Sequence, residues 1–409
     1  MNQKVRVLCI HFTGAFGGAS RSLFEALSGM PKSKISPFFL TQRGSVEQFF
    51  EKLGPVVTSR GLTQFDNTRY SHYRGVRWVV LLRELAFIPY TINALWIAKR
   101  KFGKIDLIHV NEFTGLITLI IAKLFFKAPA LVHVRSVARD DPNSLRTKFV
   151  SFLFRKLADH IIAIDQNVRS SLPVALPVEI IHNSFKVVTP DVSQVTPAPL
   201  SNISPSAFKV GFIGNLLKVK GIFELLDAAL ILKDKGINVE FVIVGDDAKP
   251  SQGVKGKLIK ALGLQQNSSA EVKSFLTHHS LWDKVHLCGF TPDIGQIYQH
   301  LDVLCFPSHY DAPGRPIFEA AFYAVPSIVA VRNPFNDTLI DGVTGIAIEP
   351  HNPEQISNAI EFLVANCDKR RAMGLAAKEL AQRNFDVDTN SKKLLETYYE
   401  LSSAHSPRK

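Results

Sequence analysis

Asp311 and Glu319 stand eight residues apart in the run PSHYDAPGRPIFEA, with Pro313, Gly314, Arg315 and Pro316 between them. An apolar run, DVLCFPS, comes before this segment and a helix-like stretch follows it. The order is therefore strand, tight loop, helix. Pro316 suits the first position of that helix, where a missing N–H costs nothing, and Glu319 is expected in its first turn, ionised. A helix N-terminus with a glycine just ahead of it is a ready anion site. Paired carboxylates also occur in glycoside hydrolysis, where they flank the bond as acid and nucleophile. Here the Gly/Pro loop favours grip on a ligand that carries both phosphate and hydroxyl groups, and a nucleotide-sugar fits that description. Taken alone, Glu319 also fits an ordinary surface carboxylate near a helix start.

Other pieces could serve the same ligand. Gly14 to Ser20 reads GAFGGAS directly after a first apolar run, so Gly17 and Gly18 could let backbone N–H groups approach a phosphate. The spacing is not that of the dinucleotide fingerprint, and a tight strand–helix turn explains the glycines equally. Gly214 and Asn215 end a second apolar run, followed by Lys218, Lys220 and Gly221. A lysine there can meet a diphosphate as a point charge. Lys218 reads as solvated, while Lys220 fits either role. His133, in LVHVRSV, falls at the end of an expected strand with Arg135 and Arg139 beyond it. A satisfied core histidine explains it as well. Gly245-Asp246-Asp247 also ends a strand, but a turn accounts for it and no metal site is read there.

The elements that must position these residues alternate short β-branched runs with longer helical ones, twice over. Expected strands are residues 5–12, 106–110, 130–135, 160–164 and 178–181, then 209–213, 240–244, 285–288, 303–307, 327–331 and 345–348. Continuous apolar strands suit parallel sheets covered on both faces, and alternation with helices means βαβ units. Between the halves, residues 187–206 are rich in Pro, Ser and Thr, which marks a linker. Two doubly wound domains would face each other across a cleft, with ligands at the carboxyl ends of the strands.

The 409-residue chain has an ordinary globular composition and a net charge of +12. Residues 1–200 hold 26 Lys and Arg against 13 Asp and Glu, and residues 201–409 hold 22 against 23. The first half therefore expects acidic partners: nucleic acid, anionic lipid or a phosphorylated substrate. No reader helix or stacking motif accompanies the charge, which argues against nucleic acid. Four scattered cysteines without metal spacing fit a reduced, cytoplasmic protein. Residues 78–98 are broken by Arg83, Glu84 and Pro89, and residues 116–126 fall short of the ~20 that a spanning helix needs. Residues 116–126 read as a buried helix. Residues 78–98 fit equally a buried helix or one lying on an anionic membrane.

The chain resembles the retaining glycosyltransferases of family 4, which have the GT-B fold: two doubly wound Rossmann-like α/β domains facing across a cleft. GGAS, HVR at His133, HNS at His182–Ser184, GNLLKVKG and DAPGRPIFEA carry the resemblance, in order along essentially the whole chain. Asp311 and Glu319 look like that family's E-x7-E pair with Asp in first place. The resemblance implies that Glu319 binds the nucleotide ribose and Asp311 contacts the donor sugar. Pro313, Gly314 and Arg315 would meet sugar and diphosphate, and Lys220 would neutralise the diphosphate, with Gly17 and Gly18 approaching it. His133 would lie near the reacting carbon, and Phe290 and Thr291 would hold the base. Asn215 stands where the family usually has Arg, so one cation for the diphosphate is missing, and Lys218 and Arg315 are the candidates to substitute for it.

Expected domains are 1–188, on the acceptor side, and 207–385, binding the nucleotide-sugar. A linker at 189–206 joins them, and a C-terminal helix at 386–409 would pack back on the first domain. The expected activity is metal-independent hexosyl transfer without a cofactor. The donor would be a nucleoside-diphosphate sugar, uridine being the weakly indicated base. The acceptor would be a cell-envelope glycan or a lipid-linked molecule, as in polysaccharide or lipopolysaccharide synthesis. The protein would be cytoplasmic, with an anionic membrane surface as a further partner of its basic half. Two other readings stay open: an epimerase or phosphorylase on the same fold, and a non-catalytic nucleotide-sugar-binding subunit.

Overall fold

The structure is a computed structural model describing residues 4–69, 77–139, 141, 143–187, 200, 203–246, 268–291 and 294–404. The chain divides into two compact units, Met1–Lys186 with Asn384–Lys409, and Val187–Arg383.

The N-terminal unit holds a seven-stranded parallel sheet in the order β3-β2-β1-β4-β5-β6-β7. Its strands are β1 (Val5–Ile10), β2 (Ile35–Gln42), β3 (Val56–Ser59), β4 (Leu107–Val110), β5 (Ala130–Val134), β6 (His160–Ala163) and β7 (Glu179–Ile180). Successive residues of β1 go to opposite faces: Leu8 and Ile10 join one buried cluster, Val7 and Cys9 the other. This two-sided burial is why the strands read as continuous apolar runs. The C-terminal helix Val387–Ala404 covers part of one face, with Leu394, Leu395 and Tyr398 buried against β1 and β4.

Sequence reasoning omits β2 and β3. Pro37 interrupts the apolar run of β2, and a proline normally argues against an interior strand. Here the register resolves it. Phe39 donates its N–H to Pro55 on the β3 side, and β3 pairing begins only at Phe39↔Val56. Pro37, two residues earlier, lacks its N–H on that same side, before β3 has started.

The C-terminal unit holds a six-stranded parallel sheet in the order β10-β9-β8-β11-β12-β13. The strands are β8 (Phe208–Ile213), β9 (Val239–Val244), β10 (Val285–Gly289), β11 (Val303–Phe306), β12 (Ser327–Ala330) and β13 (Gly345–Ile348). Along β11, Val303 and Cys305 enter one core cluster and Leu304 and Phe306 the other. Leu200 and Ile203, inside the segment that composition marks as linker, are buried in this unit's core. Two apolar residues in a Pro/Ser/Thr background carry no period to reveal that.

Both sheets share one winding. Counted from its first strand, each runs 3-2-1-4-5-6, with a seventh strand added in the N-terminal sheet, and the order reverses between the first and fourth strands. That reversal is the topological switch point, where open α/β sheets bind ligands beyond the carboxyl ends. In the C-terminal unit the switch lies between β8 and β11.

Candidate functional site

The loops leaving β8 and β11 carry Asn215 and Lys220, and Asp311 to Arg315. All are thus at the switch point of the C-terminal unit. Gly221 and Gly314 allow these loops to pack. Gly221 has φ +77°, and a Cβ there would lie 1.9 Å from the Pro307 carbonyl oxygen. A Cβ on Gly314 would lie 2.3 Å from the ring of Phe306. The β8 loop therefore rests directly on the end of β11.

Lys220 closes a short 3-10 turn, Lys218–Lys220. Its Nζ lies 4.8 Å from the ring centroid of Tyr310 and 5.6 Å from that of Phe306. No carboxylate pairs with it among the described residues. Burial lowers its pKa from the usual lysine range. A cation held by ring faces but not by an anion is one that an incoming phosphate can satisfy. Lys218 instead pairs with Glu271 at 2.5 Å.

Gly314 caps the helix Arg315–Phe322 in an extended conformation, and Pro316 is the second helical residue. Glu319 is therefore the fifth residue, beyond the first turn where sequence reasoning puts it. It is 3% exposed and is not a surface carboxylate. Tyr298 donates its hydroxyl to Oε2 at 2.9 Å, and Arg315 donates Nε to Oε1. The spacing of Arg315 and Glu319 puts both on one helix face. A carboxylate oxygen accepts from more than one donor, so a hydroxyl can join these partners.

Asp311 has φ +48°, and its carboxylate is engaged on both oxygens. The Arg332 N–H donates to Oδ1 at 2.8 Å and the Arg332 guanidinium to Oδ2 at 2.9 Å. Arg332 follows β12 and also pairs with Glu349 at 2.8 Å. Arg332 and Tyr298 are participants that sequence reasoning missed. They lie 21 residues from Asp311 and Glu319 respectively, and only the parallel winding brings them back. Asn215 is exposed, as is Phe290, and Thr291 is half-buried just after β10. Of the two cations that could stand in beside Asn215, Lys218 pairs with Glu271 and Arg315 with Glu319. Asp246 follows β9, and Asp247 lies outside the described residues.

In the N-terminal unit, Gly17 caps the helix Gly18–Ser28, and its N–H donates to Ser20 Oγ at 2.8 Å. A Cβ on Gly17 or Gly18 would meet nothing within 4 Å. The fold does not require glycine there, and small residues leave the backbone of this helix start open to approach. His133 is the fourth residue of β5 and 3% exposed. Its ring stacks on His109, Arg135 reaches its Nδ1 at 3.3 Å, and its Nε2 is buried without a partner. Burial and the Arg135 charge push its pKa well down. Arg135 also donates to Asn111 and to Asn183 of the HNS run. Burial raises the pKa of Glu112, which accepts from Ser136 at 2.7 Å. Sequence reasoning places Asn183 in the HNS run but does not find Asn111 or Glu112.

The profile "Glycosyltransferase Family 4" matches residues 16–185, and "Glycosyl transferases group 1" matches residues 201–380. The chain belongs to glycosyltransferase family 4. Among curated relatives, this glycosyltransferase is 26% identical over 178 residues to the capsular polysaccharide biosynthesis glycosyltransferase CapM of Staphylococcus aureus, covering 44% of this chain and 42% of CapM. It spans about half the length or less of the first relatives it matches. A longer match, 24% identical, joins 83% of the chain to 89% of the uncharacterized glycosyltransferase MJ1178 of Methanocaldococcus jannaschii. Among solved structures, Anabaena Alr3699/HepE in complex with UDP and glucose aligns with TM-score 0.72 and 20% identity, covering 97% of this chain and 100% of that one. The fold is GT-B.

Proposed function

We propose that this chain is a retaining glycosyltransferase that takes a sugar from a nucleoside-diphosphate donor, uridine being the base, and passes it to a cell-envelope glycan or lipid-linked acceptor. The observation that carries the donor half is Lys220. Its aromatic-bound ammonium has no carboxylate among the described residues, and it sits at a switch point beside a helix N-terminus. Glu319, preset by Tyr298 and Arg315, takes the ribose hydroxyls. Phe290 and Thr291 flank the base. Lys220 and the first-turn N–H groups of Arg315–Phe322 stabilise the charge that grows on the leaving diphosphate.

In that reaction the bond from the anomeric carbon to the phosphate oxygen breaks. The acceptor oxygen bonds to the same face of that carbon, and the acceptor proton passes to the departing phosphate oxygen. No side chain is needed as base and no metal on the diphosphate. UDP in the Anabaena HepE complex supports the base assignment.

The acceptor half draws on the N-terminal unit. Its helices Arg77–Ala86 and Ile88–Phe102 expose Leu82, Leu85, Ile92 and Trp96 beside Arg83, Lys99, Arg100 and Lys101. Apolar and basic side chains together suit an anionic lipid surface. No helix among the described residues is long and apolar enough to cross a membrane.

The test is incubation of UDP-glucose, UDP-galactose and UDP-N-acetylhexosamines with lipid-linked acceptors, following UDP release and product anomer by NMR. An α-product from an α-donor, lost in Lys220→Ala, is expected. A β-product would overturn the retaining assignment. The engagement of Asp311 by Arg332 favours one second reading, a nucleotide-sugar-binding subunit. Donor binding without UDP release on any acceptor would select it.

A further inference from the structure

Apart from the donor residues, the C-terminal unit brings together Glu224, His309 and His351, one ligand atom of each lying within 4.8 Å of the others. Glu224 is in the first turn of the helix Ile222–Asp234, His309 follows β11 and His351 follows β13. Glu224 Oε1 is 2.7 Å from His309 Nε2 and 3.4 Å from His351 Nδ1. The two imidazole rings lie against each other with centroids 3.7 Å apart. A plain Glu224–His309 hydrogen bond accounts for one oxygen and one ring nitrogen. It does not account for His351, nor for Glu224 Oε2, which is buried with no hydrogen-bond partner among the described residues. A carboxylate oxygen left unsatisfied in that position is costly unless something positive meets it.

We propose that Glu224, His309 and His351 form a binding site for a zinc-class divalent cation. Imidazole and carboxylate are the donors such an ion prefers, and three protein ligands leave its fourth position to water. Tetrahedral zinc places its ligand atoms about 3.3 Å apart, given bonds of ~2.0–2.1 Å. Glu224 stands 2.7 and 3.4 Å from the two ring nitrogens, and all three ligand atoms lie within 4.8 Å of one another, so side-chain adjustment is needed to close the set around an ion.

The three residues are not among those proposed to hold the donor, but they sit on the segments that carry them. His309 donates its backbone N–H to the Val219 carbonyl at 3.0 Å, next to Lys220, and stands two residues before Asp311. The bound ion therefore pins the β8 and β11 loops to each other and to the turn after β13.

The experiment uses the full chain, stripped with chelator and titrated with ZnCl2 by calorimetry and with CoCl2 by visible absorption. One equivalent of Zn2+ is expected, with tetrahedral Co2+ bands and a raised unfolding temperature. His351→Asn keeps a residue tolerant of the φ of +62° found there. It should weaken binding by roughly 10-fold or more. His309→Gln should abolish binding, and Cys367→Ser, which removes an exposed thiol, should change nothing. No saturable Zn2+ binding by the wild type would overturn the proposal. So would binding that survives unchanged in both histidine variants, since the ion would then lie elsewhere. Neither result bears on UDP binding, which is measured separately without added metal.

Discussion

At the residue scale, the proposed donor site combines paired charges with a lysine that no carboxylate pairs among the described residues. Glu319 and Arg315 are a buried pair, so removing Glu319 takes an opposite charge away from a buried guanidinium. Glu319→Ala should lower unfolding stability by about 3–5 kcal/mol. Glu319→Gln should cost less while still losing ribose affinity, and comparing UDP binding in the two separates the roles. Gly17→Ala and Gly314→Ala form a second contrast. The open space around Gly17 predicts a stability change within ~0.5 kcal/mol, whereas the Phe306 clash at Gly314 predicts a loss of roughly 1–3 kcal/mol. Chemical denaturation of both variants checks this, and equal losses would contradict it. Asp311, Lys220 and Glu319 were legible because they sit in one local run or just past a strand. Arg332, which occupies Asp311, was not, since no local spacing encodes a return across a parallel sheet.

At the element scale, β4 and the residue that follows β1 bury titratable rings. His11 and His109 are held neutral, with pKa lowered to about 3 by burial first and Arg135 second. Unfolded, they would titrate near 6.5. Between those values the unfolded chain binds more protons, so stability is full above ~6.5 and falls as pH drops toward 3. Denaturation midpoints taken from pH 7.5 down to pH 4 should fall steadily, and His109→Gln should flatten the fall. A flat profile in the wild type would refute the assignment. All six C-terminal strands were legible, because their runs are apolar on both faces. The N-terminal sheet was less so: Pro37 disguised β2, and β3 is only four residues long. The helix Leu116–Phe126 was legible as buried, with Leu119, Ala122 and Phe126 inward and Leu124 outward.

At the scale of the whole molecule, positive charge belongs to the first half of the sequence, and large exposed apolar side chains stand beside it on the helices Arg77–Ala86 and Ile88–Phe102. The chain should float with vesicles of anionic lipid at low salt and be released as salt screens the charge. Leu82→Asp with Trp96→Asp should abolish flotation and leave the unfolding temperature within a few degrees. Flotation that neither salt nor these changes affects would remove these helices as the membrane surface. The twofold alternation of strands and helices is legible in the sequence as two doubly wound units, while the motifs GGAS, HVR, HNS, GNLLKVKG and DAPGRPIFEA carry the likeness to the family. Donor and acceptor identity were not legible, because they depend on a few side chains whose partners are set by tertiary return.

The central claim is that the C-terminal unit is a nucleoside-diphosphate-sugar site built on Lys220 and Glu319. Calorimetric titration of the full chain with UDP, without added metal, tests it most directly. Saturable binding at one equivalent is predicted, strongly weakened in Lys220→Ala and in Glu319→Gln, with a gain of roughly 2.7 kcal/mol in unfolding stability at ~100 times the dissociation constant. Absence of binding by UDP and by GDP, ADP and CMP, in a protein that unfolds cooperatively, would contradict it.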